Sequence, residues 1–257
     1  MTPALEAVDV LAFGPHPDDI EIGIGGTLAK HAALGHSVGL CDLTAGEMGS
    51  NGTVAERLAE AEAARDVLGA RWRTNLRLPD RAIGGDPAHL QPVAELVRLV
   101  RPRVVALPYW SDPHPDHAAA SNLLAEAVFS AGLRRYPAEG EAWKPEVTCY
   151  YFINESAAPS FVIDVSDHYE TKRRALACHV SQFRPTGDDA VATRLTGSRF
   201  QQLIESRDAQ FGAQAGFAFA EGCVVRRPVV RTHLLPDQPS GHTTSQRSDL
   251  LSNKGGQ

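Results

Sequence analysis

The sequence predicts an α/β fold: a doubly wound, mostly parallel sheet with helices on both faces (Rossmann-like), plus a C-terminal α/β elaboration. Three observations predict it. Short apolar runs typical of buried strands alternate with longer helical patterns through the first half of the chain. Two of these runs lead directly into His-Pro-Asp motifs and then into helical patterns. A length of 257 residues, of which 43% are hydrophobic, allows one large domain.

The first half contains four predicted strand–helix units. Gly35 is placed to end the first helix, and Gly69 is placed to end the second. Thr53, with Glu56 three residues later, forms a predicted capping box at the start of the second helix. The predicted strands cover residues 8–14, 37–43, a part of 72–78, and 103–108, and the predicted helices cover residues 19–34, 54–68, 89–100 and 118–133.

The character of the sequence changes after Arg134. The predicted elements beyond it are β-rich runs at 147–153 and 161–165, helices at 167–181 and 198–213, and an extended run at 223–231. We expect this half to be an extension of the same domain and to line one side of the functional site. A single domain would then cover residues 1–234. Residues 235–257 are rich in Pro, Ser, Gln, Gly and Thr, which predicts a disordered tail.

The composition argues against several classes of partner. A formal net charge of −6 disfavours general nucleic-acid or anionic-membrane binding. No stretch reaches the ~18 apolar residues of a membrane helix, and the N-terminus lacks a basic segment followed by an apolar one. The cysteines form no CxxC pair, which favours a reduced, cytoplasmic protein without a cysteine-based zinc site; they are Cys41, Cys149, Cys178 and Cys223.

The two His-Pro-Asp motifs, Pro15–Asp19 and Pro113–His117, carry the strongest functional signal. Each follows a predicted strand, and the carboxyl ends of parallel strands share one rim of a sheet. We therefore expect the motifs to meet, although they lie far apart in the sequence. His16, Asp19 and His117 then supply two imidazoles and one carboxylate around an open fourth position, which is the composition of a catalytic zinc site.

The other polar residues of the motifs are candidates for proton chemistry. Asp18, beside a ligand, is the natural general base that removes a proton from water. His114 lies three residues before His117, so both could bind the metal, or one could face the substrate. Asp116 lies between them and is placed to orient an imidazole. The plainer alternative for Asp18 and Asp19 is that they cap the following helix, where the helix dipole favours carboxylates.

The Gly-rich loop Thr44–Gly52 follows the second predicted strand and therefore shares the same rim. Arg57 lies one turn into the next helix, where it could clamp a substrate carboxylate with two donors or pair with Glu60 on the same helix face. The loop residues expected to bind sugar hydroxyls are Glu47, Ser50 and Asn51.

Two further features are interpreted as structural. The glycines of Gly23–Leu28 resemble a dinucleotide fingerprint, but the preceding turn holds His-Pro-Asp-Asp and the sixth residue is Leu28. Close packing of a helix on the sheet explains these glycines better. His179, inside a predicted helix, is also interpreted as a structural histidine.

The motifs resemble those of the PIG-L/LmbE-like family of zinc N-deacetylases. The family pattern HPDDxE corresponds to His16–Glu21, and HPDH corresponds to His114–His117. The stretch Lys172–Gln182 is also similar, and the resemblance covers about residues 8–230. Within the family the chain most resembles the bacillithiol biosynthesis deacetylases, at Cys41–Thr44, Ser50–Thr53 with Arg57, Leu78–Arg81, Phe129–Gly132, Phe161–Ser166 and Ala220–Gly222.

This resemblance implies hydrolysis of the N-acetyl group of N-acetylglucosaminyl-malate. It implies zinc on His16, Asp19 and His117, with ferrous iron as an alternative because it accepts the same ligands. It also gives the base role to Asp18, oxyanion stabilisation to His114, which we expect to be protonated, and assembly into homo-oligomers, often hexamers. Substrate contacts are implied for Arg57 and for Lys144, which stands where an arginine is expected, whereas Phe200 lacks the hydroxyl of a helper tyrosine in some relatives.

Three other functions compete with the sugar-malate deacetylase. An amidase of thiol-sugar S-conjugates would share the metal site but need a roomier pocket. A general N-acetylglucosamine deacetylase would ignore the group attached to the sugar. A non-catalytic metal- or nucleotide-binding module would not need Asp18 beside three complete ligands. The expected partner is a small sugar substrate, with no nucleic acid and no membrane.

Overall fold

The computed structural model describes residues 5–230 of the chain. Seven strands form one sheet: β1 (Val10–Gly14), β2 (Val38–Asp42), β3 (Trp72–Asn75), β4 (Val104–Pro108), β5 (Val147–Tyr151), β6 (Phe161–Asp164) and β7 (Ala220–Val224). The α-helices are α1 (Asp19–Ala33), α2 (Val54–Leu68), α3 (Leu90–Val100), α4 (Pro115–Ala131), α5 (Tyr169–Cys178), α6 (Val180–Phe183) and α7 (Ser198–Ala215).

The sheet has the strand order β3-β2-β1-β4-β5-β7-β6. Strands β1 to β5 are parallel, whereas β7 is antiparallel to both β5 and β6. The chain runs from β1 outward to β3, then returns to the other side of β1 with β4. The strand order therefore reverses between β1 and β4, and this kind of crevice is where ligands bind in open α/β sheets. The predicted doubly wound, mostly parallel fold is confirmed.

Two hydrophobic cores cover the two faces of the sheet. Because successive side chains of a strand point to opposite faces, Leu11 and Phe13 of β1 enter one core and Val10 and Ala12 enter the other. The first core also receives apolar residues of α3 and α4, and the second receives those of α1 and α2. This double coverage fixes β1 and β4 in the buried centre, and their loops reach the rim.

Local sequence signals set several helix ends as predicted. The Thr53 hydroxyl accepts from the Glu56 backbone N–H at 3.2 Å, and the Glu56 carboxylate accepts from the Thr53 N–H at 2.7 Å, so the capping box is present. Gly69 ends α2 with a φ of 74°. A Cβ at Gly23 would collide with the ring of Tyr151, so this glycine allows α1 to pack closely on β5.

Other boundaries differ from the sequence prediction. Helix α4 begins at Pro115 rather than at residue 118, because the proline suits the first helical position and places the motif in the first turn. The helix predicted over 167–181 breaks at His179, whose φ of −81° and ψ of 60° separate α5 from α6. The extended run predicted at 223–231 is shifted, since β7 spans Ala220–Val224.

The first compact unit of the chain ends at Arg226. The domain end predicted at residue 234 and the tail predicted at 235–257 lie outside the described residues. Among the residues that the structure describes, none of the helices combines the length and the apolar character that crossing a membrane requires.

Candidate active site

The two His-Pro-Asp motifs meet at the carboxyl ends of β1 and β4. The ring centroids of His16 and His114 lie 5.1 Å apart, and those of His16 and His117 lie 5.6 Å apart. His114 and His117 stack on each other with centroids 4.5 Å apart. The reversal of strand order between β1 and β4 thus brings together imidazoles that are far apart in the sequence.

Asp19 lies between the two other predicted metal ligands. Its Oδ2 is 3.1 Å from His16 Nδ1 and 3.3 Å from His117 Nε2, and all three residues are buried. The second nitrogen of each ring faces a different carboxylate. His16 Nε2 lies 3.1 Å from Asp80 Oδ1, and His117 Nδ1 lies 3.0 Å from Asp112 Oδ1. Each imidazole therefore has one nitrogen that can donate to a carboxylate and one that faces the centre, as in metal-binding histidines.

The charges around this centre favour a cation. Burial opposes the charged form of His16, but the surrounding carboxylates raise its pKa well above the usual value. Burial likewise opposes the charged form of His117, but Asp19 and Asp112 raise its pKa to about 9. In the described part of the chain, five carboxylates and two arginines surround the centre, namely Asp18, Asp19, Asp80, Asp112 and Asp116 with Arg57 and Arg81.

The donor set therefore fits a divalent metal of borderline softness, such as zinc or ferrous iron. Among the described residues, potential ligand atoms of His16, His114 and His117 also lie within 4.8 Å of one another, as do those of His16, Asp80 and Asp116. Both groups include His16, so the structure offers several ligand combinations around one centre.

Asp18 has the environment of a general base rather than of a helix cap. Its side chain makes no capping hydrogen bond to α1, and within the described residues its buried Oδ2 has no hydrogen-bond partner. Burial raises the pKa of this carboxyl to about 6, and the nearby Arg57 opposes the rise. The backbone φ of Asp18 is 123°, a conformation that L-residues rarely adopt and that is typical of strained functional positions.

Arg57 does not reach the rim, contrary to its predicted role as a substrate contact. It is 5% exposed, and its Nη2 lies 3.7 Å from Asp18 Oδ2. Its guanidinium donates to the Gly46 carbonyl at 2.9 Å and to the Pro17 carbonyl at 3.1 Å. The Gly-rich loop folds over the guanidinium, and a Cβ at Gly46 would collide with it. Arg57 therefore supports Asp18, the first His-Pro-Asp motif and the Gly-rich loop.

His114 lies at the start of α4 and is partly buried. Its Nδ1 accepts from the backbone N–H of Asp116 at 3.3 Å. Burial and the neighbouring His117 lower the pKa of His114, which favours the neutral ring. With Nδ1 as acceptor, the remaining proton is on Nε2, which can donate to a substrate oxygen. The lowered pKa favours a neutral His114 as the donor, and the protonated form expected from the sequence stays a prediction.

Asp116 has a different partner from the one predicted. Its carboxylate lies 3.3 Å from His16 Nε2 and accepts from both the backbone N–H and the guanidinium of Arg81 at 3.0 and 3.1 Å. The Asp116 carboxylate thus orients His16, whereas its backbone N–H contacts His114. Arg81 holds this contact with a φ of 65°, again in the left-handed region.

The predicted sugar-binding residues of the Gly-rich loop differ in exposure. Glu47 and Ser50 are exposed on the rim, and Glu47 accepts from the backbone N–H of Asp80 at 2.8 Å. Asn51 is buried, and its side chain exchanges two hydrogen bonds with the backbone of Val191 at 2.9 and 2.8 Å. Asn51 therefore fastens the chain at Val191 to the loop, a different role from the predicted contact with a sugar hydroxyl.

Lys144 lies away from the cluster, contrary to prediction. It is exposed and lies near Gly132, just beyond the C-terminal end of α4, whereas the motif occupies the N-terminal end of that helix. The 17 residues of α4 separate the two ends by about 25 Å. Lys144 cannot touch a substrate bound at the histidines.

Sequence reasoning missed three polar residues near the centre. Asp80 and Asp112 orient the two imidazoles, and Asn154 donates to Asp112 at 2.9 Å and lies 3.2 Å from His117 Nδ1. Asp80 follows β3 and Asp112 follows β4, so their positions after strands on the same rim could have found them. Nothing in the sequence around Asn154 identifies it. Behind Asp18, the fully buried His179 lies 3.5 Å from the Glu21 carboxylate.

The comparisons with known proteins agree with this geometry. The family model described as "PIG-L: GlcNAc-PI de-N-acetylase" matches residues 11–128, which include both motifs. The chain is 28% identical over 245 residues to a diacetylchitobiose deacetylase of Thermococcus kodakarensis, covering 88% of this chain and 86% of that protein. It is 32% identical over 168 residues to a 1D-myo-inositol 2-acetamido-2-deoxy-alpha-D-glucopyranoside deacetylase of Rhodococcus erythropolis, covering 52% and 57% respectively.

A solved structure extends the similarity to almost the whole chain. The conserved protein TT1542 from Thermus thermophilus is 37% identical, with a TM-score of 0.80, and the match covers 92% of this chain and 100% of that one. The motif pair, the converging ligands and these relatives all agree. The chain belongs to the PIG-L family and is a deacetylase, a hydrolase of N-acetyl amides.

Proposed function

We propose that the protein removes the N-acetyl group from an N-acetylglucosaminyl conjugate, with a divalent metal. The observation that carries this proposal is the position of Asp18. Its buried carboxylate, with an oxygen that makes no hydrogen bond in the described structure, adjoins a centre of two imidazoles and one carboxylate. A structural metal site would not need an additional, strained carboxylate at its edge.

The residues divide the chemistry among them. His16, Asp19 and His117 would hold the metal, which when bound supplies Lewis acidity toward the acetyl carbonyl and toward water. Asp18 accepts a proton from the attacking water, and Arg57 keeps this carboxylate in place. His114 donates its Nε2–H to the oxygen on which negative charge develops. The amide C–N bond then breaks, Asp18 passes the proton that it accepted from water to the sugar nitrogen, and the products are a free amine and acetic acid, which ionises to acetate.

The chemical group attached to N-acetylglucosamine in the substrate is considered next, beginning with malate. The sugar-malate hypothesis came from the resemblance to the bacillithiol biosynthesis deacetylases, which also implied a substrate contact for Arg57, but that guanidinium is buried against Asp18. By their names, two relatives act on a conjugate of N-acetylglucosamine with a second sugar or with inositol. We therefore propose a deacetylase of N-acetylglucosaminyl conjugates, and the malate conjugate becomes one member of the test panel.

The metal is proposed to be zinc. Imidazole and carboxylate ligands suit zinc, and ferrous iron is the alternative because it accepts the same donors. Metal analysis of protein purified without added metal, followed by reconstitution of the chelated chain with each ion, decides between them.

The test is acetate release from a panel of N-acetylated sugars, with and without a chelator. We expect acetate from N-acetylglucosamine conjugates, loss of activity on chelation and recovery on adding metal. Full activity in a verified metal-free preparation would contradict metal catalysis. Cleavage of a bulky thiol-sugar S-conjugate, with no acetate from any N-acetyl sugar, would favour the amidase. Metal binding without hydrolysis of any amide would favour a non-catalytic module.

A further inference from the structure

A groove lies beside the catalytic centre, between the segment of residues 81–90 and helix α4. It has a volume of about 540 Å³, within the range of small-molecule sites. None of the mechanistic steps above uses it. We call it the α4 groove.

The α4 groove adjoins the candidate active site at Asp116. This residue lines the groove, and its carboxylate also lies 3.3 Å from His16 Nε2. From Pro115 the lining follows α4 as far as Glu126, a distance of about 16 Å. A substrate whose acetyl group lies at the histidines could therefore extend its other end along this helix.

The lining of the groove is that of a site for a neutral, hydroxyl-bearing ring. The floor is apolar and includes Ile83 and Leu123, whereas Asp86, Asn122 and Glu126 are exposed and offer polar groups. Apolar surface suits the C–H face of a sugar or cyclitol, and the polar groups suit its hydroxyls.

The charges of the groove disfavour an anion. Its one cation among the described lining residues, Arg81, already donates to the Asp116 carboxylate through its backbone and its guanidinium. Asp86 and Glu126 are exposed and have no basic side chain as an ion-pair partner in the described structure. An anionic group would therefore meet two carboxylates and a cation that is already paired.

We propose that the α4 groove binds the part of the substrate attached to N-acetylglucosamine, and that it selects a neutral polyhydroxylated ring there. This inference rests on the proposed deacetylase function and adds to it the class of the attached group. It assigns specificity to residues of the 81–90 segment and the outer face of α4, which the sequence analysis did not single out as site residues.

Two substitutions test the groove by filling it. Gly84 is exposed, and a Cβ there would meet only ordinary contacts with Ala119, the nearest at 3.8 Å, so Gly84→Leu adds a side chain without a clash at its base. Asn122→Leu fills the groove from the side of α4. Gln202→Leu, at an exposed position of α7 outside the groove, is the matched control.

The measurement is kcat/KM of the metal-loaded enzyme for N-acetylglucosamine, diacetylchitobiose and N-acetylglucosaminyl-malate. We expect the native enzyme to prefer the disaccharide over both others by about tenfold or more. Each groove variant should reduce the ratio of disaccharide to monosaccharide kcat/KM by about tenfold, and Gln202→Leu should leave the ratio unchanged. Melting temperatures show whether each variant is folded.

The outcomes separate the two proposals. Unchanged ratios in both folded groove variants, or a native preference for the malate conjugate, would overturn the groove assignment and leave the deacetylase intact. If one variant does not fold, the other still decides. Absence of acetate from every substrate with the native metal-loaded enzyme would instead overturn the proposed function.

Discussion

At the scale of single residues, Asp18 combines three unfavourable features: burial, a positive φ and a carboxylate oxygen without a hydrogen bond in the described structure. Such features persist where function requires them. We predict that Asp18→Asn lowers kcat about 10²–10⁴-fold, because the amide has the same shape but cannot accept the proton. Steady-state kinetics with a metal assay checks this. Near-native turnover with full metal content would move the base role to another residue.

Arg57 gives a second prediction at the same scale. Arg57→Ala should lower the free energy of unfolding by roughly 3 kcal/mol, since it leaves the buried Asp18 carboxylate and two carbonyls without their partner. It should also lower kcat, because Asp18 loses its support. Urea unfolding and kinetics measure both quantities. A raised KM with unchanged stability would instead restore the predicted contact with a substrate carboxylate.

At the scale of elements, a buried ionic cluster joins the C-terminal half to the first helix. Lys172 of α5 donates to Asp208 of α7 at 2.7 Å and to Glu221 of β7 at 2.6 Å. Glu221 in turn accepts from the backbone N–H groups of Gly26 and Thr27 in α1 at 2.9 and 2.6 Å. Four elements that are distant in sequence therefore share one charge cluster.

We predict that Lys172→Met destabilises the protein by roughly 3–5 kcal/mol, because it leaves two buried carboxylates without their cation. The matched control is Arg173→Met on the same helix, which removes a partly exposed pair with Glu205 and should cost less than about 1 kcal/mol. Denaturant unfolding of both variants gives the comparison. Equal losses would show that the buried cluster contributes no more than a surface pair.

Some of the helices, strands and loops that form the site can be predicted from the sequence, and others cannot. The two motifs could be placed because each follows an apolar strand, and parallel strands bring their ends to one rim. Arg57 could not be placed, because its inward direction depends on the Gly-rich loop folding over it. The start of β7 was missed because it contains the charged Glu221, which is buried only through partners on α1 and α5. Contacts between distant segments leave no local pattern.

At the scale of the whole molecule, the centre connects loops from the two strands at the reversal of the sheet. His16 and Asp19 follow β1, and His117 follows β4, so a bound metal would join the two halves of the parallel sheet. A ligand that binds only the folded state stabilises it by about 2.7 kcal/mol at 100 times its dissociation constant. We predict that chelation lowers the melting temperature by several degrees and that adding metal restores it. Identical melting curves for verified metal-free and metal-loaded protein would contradict this.

The positive φ of Asp18 also implies that the stability of the fold and the catalytic turnover make opposite demands on this residue. Glycine adopts a φ of 123° without steric cost and carries no buried carboxylate, so Asp18→Gly should relax two local strains at once. The Arg57 guanidinium keeps its hydrogen bonds to the Gly46 and Pro17 carbonyls in this variant. We predict that the free energy of unfolding of the metal-free Asp18→Gly chain is about 1 kcal/mol higher than that of the parent. The metal-loaded variant should lose about 10²–10⁴-fold in kcat, as Asp18→Asn does. The denaturant midpoints of the metal-free parent and the metal-free Asp18→Gly variant test the predicted gain in stability. Selection for catalysis would then have kept this position below the stability that the fold could reach.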